Sequence, residues 1–208
     1  LEDSILRKRL FRVFLPAAVA IGVPAYLWAA TFGGFGARLA QAQETGFFKW
    51  FHLTQTAREK TAGVTVTSFK PSGQKFRDLV TFQVTTGQDG GLTGMRLILK
   101  RAFVDSPRDG IFARDITKSL LGTVFSSNAD QELQALIQQI EYLGTSTSPI
   151  LRHESMKPPP LPAQPTPGYL AYLGKQQSYD YAVAGKTLRL ENATVEGKKA
   201  LLITIHAQ

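Results

Sequence analysis

From Val13 to Ala37 the chain carries no charged side chain: VFLPAAVAIGVPAYLWAATFGGFGA. No other feature constrains the fold as strongly, because about 20 apolar residues in a helix cross the hydrocarbon core of a bilayer. A helix buried in a soluble domain seldom runs so far without a charge. Pro16 stands near the start, where a missing N–H does least harm, and Pro24 is expected to kink the helix and free a carbonyl for a neighbour. Tyr26, Trp28, Phe32 and Phe35 gather toward the far end, where an aromatic belt belongs, and Trp28 is a candidate membrane-interface residue. Arg7, Lys8, Arg9 and Arg12 precede the run. By the positive-inside rule they set the topology, with a cytoplasmic amino terminus and an exported remainder. Ala40-Gln41-Ala42 resembles a signal-peptidase site, but the apolar region is roughly twice as long as a signal-peptide core. The expectation is a retained anchor: a basic cytoplasmic segment over 1–12 and a transmembrane helix over 13–37. The expected location is the bacterial inner membrane with a periplasmic domain, the mitochondrial inner membrane being the alternative.

The next segment, 38–61, contains FFKWFHL at 47–53. Read as a helix, it puts Phe47, Trp50 and Phe51 on one side, with Phe48 at the edge and Lys49 opposite. That is the pattern of a helix lying in the headgroup plane. Gly33, Gly34 and Gly36 would supply the elbow from spanning to lying flat. Two alternatives stand beside this reading: the aromatics belong to the core of the following domain, or His52 is a candidate ligand for a haem or chlorophyll.

After Thr61 the pattern changes to alternation. Val80, Phe82 and Val84 alternate with Thr81, Gln83 and Thr85, and Met95, Leu97 and Leu99 follow the same period, which argues for half-buried strands. Pro71-Ser72-Gly73 and residues 87–91 (GQDGG) are turn chemistry. The period then becomes helical. Ser106 and Pro107 read as N-cap and first residue of one helix. Ser127 reads as the cap of a second, whose Leu133, Leu136, Ile137, Ile140 and Leu143 form an apolar stripe ended by Gly144. Seven of the eleven prolines fall between Pro149 and Pro167, so residues 145–168 are expected to be extended. This segment is a strap laid on a partner, through Pro158, Pro159, Pro160 and Leu161, or a solvated linker. Strands return around Tyr179, Tyr181 and Val183, and a closing hairpin turns at Glu196-Gly197. The fold class expected over 62–208 is α+β: a mostly antiparallel sheet with two packed helices behind a single transmembrane helix.

The search for chemistry finds little. There is no cysteine, hence no disulfide, thiolate nucleophile or cysteine-held zinc. His52, His153 and His206 are far apart and none sits in a metal-binding spacing. Asp105, Asp109 and Asp115 show no calcium-loop spacing, and Ser119 and Ser155 lack a nucleophile elbow. The net charge of +8 and pI near 9.8 favour acidic partners. Nucleic acid is not expected, because the positive charge is dispersed and no RNA-binding aromatic signature is present. The expected function is therefore non-catalytic: a single-pass accessory or scaffold subunit stabilising a larger integral membrane complex. No cofactor, metal or small-molecule substrate is expected. The partners are that complex and the lipid bilayer. A free-standing anchored binding or assembly-chaperone module is the alternative.

Overall fold

The computed structural model describes residues 34–125, 130–142 and 164–208. Its centre is one antiparallel sheet of seven strands in the order β1-β2-β3-β4-β7-β6-β5. The strands are β1 (Leu53–Thr61), β2 (Val64–Pro71), β3 (Val80–Thr86), β4 (Leu92–Lys100), β5 (Ser178–Val183), β6 (Lys186–Val195) and β7 (Lys198–Ala207). Four strands thus form one meander and three another, and β4 pairs with β7 where the meanders join. Three hairpins turn on an X-Gly pair with both residues at positive φ: Ala62-Gly63, Ala184-Gly185 and Glu196-Gly197. Such turns match the right-handed strand twist, which is why the second residue is glycine.

Helices precede β1 and lie in the segments between β2 and β3 and between β4 and β5. They are α1 (Leu39–Gln43), α2 (Gly46–Trp50), α3 (Gln74–Arg77), α4 (Arg101–Val104), α5 (Gly110–Val124), α6 (Gln131–Tyr142) and α7 (Pro167–Tyr172). The core lies between the helices and one face of the sheet. Phe69, Phe82, Val84, Leu97, Leu99, Leu188, Leu190, Leu201, Ile203 and Ile205 supply the sheet side. Ile116, Leu120 and Leu121 of α5 and Leu133, Leu136 and Ile140 of α6 supply the helix side. On the opposite face the same strands present mostly polar side chains, exposed or half-buried, with half-buried Ile98 and Leu202 among them.

The expected fold class is corrected. Among the described residues the molecule is a single seven-stranded sheet with seven helical segments, not a spanning helix followed by a two-helix domain. No helix among them is long and apolar enough to cross a membrane. Most of the run from 13 to 37, with Trp28 and the basic cluster before it, lies outside the described residues. Its last residues are not helical: Gly34 and Gly36 have φ of 81° and 96°, and Gly36 N–H donates to Leu92 O at 2.8 Å while Leu92 N–H donates to Ala37 O at 2.9 Å. The chain is held there as a short antiparallel bridge against the start of β4.

Other boundaries move for local reasons. β1 begins at Leu53, inside the segment expected to lie on a membrane. It is an edge strand exposed along nearly its whole length, so it carries no apolar alternation to reveal it. The helix expected from Ser106 starts at Gly110. Ser106 Oγ does accept from Asp109 N–H at 3.0 Å, but it closes a turn before the helix rather than capping it. α6 is capped by Asp130, whose carboxylate accepts from the N–H groups of Glu132 and Leu133 at 3.0 and 3.1 Å; Ser127 lies outside the described residues. The extended segment ends early, since Thr166 is an N-cap and Pro167 the first residue of α7.

Candidate functional site

The aromatic segment at 47–51 divides into core and surface. Thr45 Oγ1 donates to Ala42 O at 2.6 Å and fixes the corner between α1 and α2. Phe47 and Phe48 then point into the core. Phe47 meets Phe82 edge-on at 4.9 Å between centroids, and Phe48 meets Phe69 edge-on at 5.0 Å. Phe51 is partly buried against Phe47. The face-down arrangement is thereby corrected for Phe47, Phe48 and Phe51, because sheet residues occupy the side on which a bilayer would lie. Trp50 remains 59% exposed.

His52 closes α2 with φ of 46° and is exposed. With Gln43, Phe48, Lys49, Leu53, Thr54 and Ser72 it lines a broad open cleft of about 550 Å³. Part of the polar lining is engaged with its neighbours. Lys49 Nζ pairs with Glu44 at 2.7 Å, and His52 O accepts from Ser72 N–H at 3.0 Å. No group of three metal-ligating side chains is found among the described residues. Pro158, Pro159, Pro160 and Leu161 lie outside them.

A buried polar cluster that the sequence did not signal sits beneath α7. Gln139 of α6, 2% exposed, accepts through Oε1 from Thr166 N–H at 2.9 Å and from Thr166 Oγ1 at 2.8 Å. Its Nε2 donates to Gln164 O at 3.0 Å. At the other end of α7, Arg101 Nη1 donates to Tyr172 O at 2.7 Å, and Asn192 Nδ2 donates to Ala171 O at 2.8 Å. Arg101 also pairs with Asp105. The helix is therefore tied at both termini. Between the ties, Tyr169 and Tyr172 stack at 6.3 Å. Burial pushes the Tyr169 phenol up to about 12 and raises Tyr172 as well, against the opposing positive charge of Arg114. The Tyr172 hydroxyl faces Thr117, but Thr117 Oγ1 is committed to Ala113 O at 2.8 Å, and Tyr172 Oη has no well-formed hydrogen bond.

The sheet face that the described helices leave uncovered is a broad organised surface. Register places Gln83, Arg96, Thr204, Arg189 and Asp180 in one row across five strands. In the adjacent row Thr81, Ile98, Leu202 and Glu191 stand side by side. Arg96 Nε donates to Thr204 Oγ1 at 3.3 Å, while Arg189 is shared between Asp180 at 3.5 Å and Glu191 at 3.2 Å. The half-buried pair Ile98 and Leu202 makes an apolar centre with a polar, partly cationic border.

Compared with protein-family models, with curated proteins and with solved structures, the chain matches none. What it can do is read from its own surfaces.

Proposed function

We propose that the domain is a non-catalytic accessory module that binds a protein partner of a membrane assembly through the uncovered face of its sheet. One observation carries this reading: an apolar centre, Ile98 and Leu202, framed by Arg96, Arg189, Gln83 and Thr204 on the sheet face that the described helices leave open. Apolar centres with polar rims are the anatomy of protein interfaces. Seven strands spaced about 4.8 Å apart and about 20 Å long present on the order of 600 Å², not far below the ~800 Å² that one partner contributes to a stable complex. Arg96 makes no ion pair among the described residues and favours a partner with a carboxylate opposite it. The membrane context is supported by sequence alone, through the uncharged run and the basic cluster before it.

The test is to substitute Arg96→Glu and Ile98→Glu separately in the full chain and purify it in mild detergent. Both variants are expected to release the stoichiometric partner chains retained by the unaltered protein, while Lys118→Gln, on α5 behind the sheet, keeps them. Melting curves establish that the variants are folded. A complex indifferent to both face substitutions, or a chain that purifies alone, would defeat the proposal.

A further inference from the structure

Antiparallel topology gathers one end of the molecule. β1, β3, β5 and β7 begin there, β2, β4 and β6 end there, and α2, α3, α4 and the first turn of α5 lie beside them. Contacts tie these pieces together: His52 O accepts from Ser72 N–H at 3.0 Å, and Lys75 Nζ lies 2.6 Å from Asp109 Oδ1. Two of the three exposed large apolar side chains among the described residues stand at this end, Trp50 at 59% and Phe112 at 46%; the third, Val64, is beside the Ala62-Gly63 turn at the other. Phe112 is propped from behind by Phe76, 4.9 Å away, and Phe76 in turn by buried Phe103 at 5.5 Å.

The same end carries an excess of positive charge. Lys49, Lys70, Lys75 and Arg101 have carboxylate partners. Arg77, Lys100, Arg108, Lys175, Lys198 and Lys199 make no ion pair among the described residues. Against these six stand, among the described residues, the carboxylates of Glu196 in the turn before β7 and of Glu132, which accepts from Tyr179 at the start of β5.

We propose that this end is a docking surface for anionic lipid headgroups, into which Trp50 and Phe112 insert. The reading goes beyond the partner-binding face, which is a different side of the sheet. An indole and a phenyl ring exposed on separate helices, at an end that also gathers ammonium and guanidinium groups, fit a plane that is apolar below and negative at its surface. A single-stranded nucleic acid would instead require a groove tracking the phosphates with aromatics in series, and the two exposed aromatics here stand singly on separate helices, α2 and α5. Phe47 and Phe48, buried in the core, take no part.

Trp28 and Trp50 are the two tryptophans of the chain, so Trp28→Phe makes Trp50 the sole indole reporter in the full-length protein. Its emission is read on vesicles of phosphatidylglycerol and of phosphatidylcholine, each carrying bromine-labelled acyl chains. The expected result is at least about twofold quenching on the anionic vesicles and little on the neutral ones, reversed at about 0.5 M salt, where screening is nearly complete. Arg108→Glu with Lys198→Glu and Lys199→Glu should remove most of the quenching, and Phe112→Ser should weaken it, neither with a lowered melting temperature. Because the readout is at Trp50, binding through the first 33 residues does not imitate it. Trp50 left unquenched on phosphatidylglycerol, or quenched equally on both lipids, overturns the proposal, as does capture of a polyanion such as single-stranded DNA without any quenching by lipid.

Discussion

At the scale of single residues, the decisive question is which way a side chain faces, and the sequence answers it unevenly. Phe47 and Trp50 are three positions apart on one short helix and read as equivalent aromatics, yet one is core and the other solvent. Phe47→Ala is expected to cost about 3–5 kcal/mol, in the range for emptying a buried aromatic site. Trp50→Ala should stay within about 0.5 kcal/mol. Denaturant melts of the two variants check this, and equal small losses would return both rings to the surface. Tyr172 makes the opposite point, since its hydroxyl is buried without a well-formed partner. Removing an unsatisfied polar atom relieves its desolvation penalty, so Tyr172→Phe should stabilise the fold by about 1 kcal/mol. A loss of that size would instead mean that the hydroxyl has a partner worth keeping.

At the scale of elements, the strands with an apolar face were legible and the elements held by polar ties were not. β3 and β4 bury every second residue, and period-2 alternation follows from that. β1 buries almost nothing, so its sequence carries no period. α7 has only six residues and depends on capping, on Gln139 reaching from α6 and on Asn192 and Arg101 closing its far end. None of these long-range partners can be read from a local window. The uncovered sheet face was equally hidden, because a row such as Gln83–Arg96–Thr204–Arg189 exists only once register is known. Gln139→Leu would leave Thr166 N–H and Gln164 O unpartnered, at a cost of about 1–3 kcal/mol. Hydrogen exchange should quicken first at the amides of α7, while uniform quickening across the sheet would deny the helix its dependence on Gln139. The junction of α6 with β5 adds a pH dependence. Tyr181 donates to the Asp130 carboxylate, and this bond, with the N–H groups of Leu133 and Glu132, lowers the acid's pKa. A depressed carboxylate contributes stability that is complete above its unfolded pKa, near 3.9, and disappears as the pH falls through the folded value. Asp130→Asn should therefore flatten the acid limb of a stability profile below about pH 4 and leave the neutral region nearly level.

At the scale of the whole molecule, charge is distributed by topology rather than by sequence blocks. Arg77, Lys100, Arg108, Lys175, Lys198 and Lys199 are dispersed along the chain, and antiparallel strands return them to one end. Two effects of salt then oppose each other. The ion pairs among the described residues are mostly exposed, and screening would weaken them, but such pairs contribute about 0–1 kcal/mol each. Unpaired cations repel one another, and two unit charges about 10 Å apart in water interact by about 0.4 kcal/mol. Screening acts strongly at that separation, because the Debye length falls from about 30 Å at 0.01 M to about 8 Å at 0.15 M ionic strength. Relief of repulsion should win, so the melting temperature at neutral pH is expected to rise between 0.01 and 0.15 M sodium chloride, as both concentrations are set by that change in screening. The double substitution Lys198→Glu and Lys199→Glu should raise the low-salt melting temperature and remove most of its salt dependence. The same double substitution made on the uncovered face, Arg96→Glu and Arg189→Glu, separates location from net charge, since it changes the total charge equally but breaks the pairs that Arg189 makes with Asp180 and Glu191. If both doubles flatten the salt response alike, the repulsion belongs to the molecule's overall charge; a flattening confined to the β7 pair locates it at the end that carries Trp50 and Phe112.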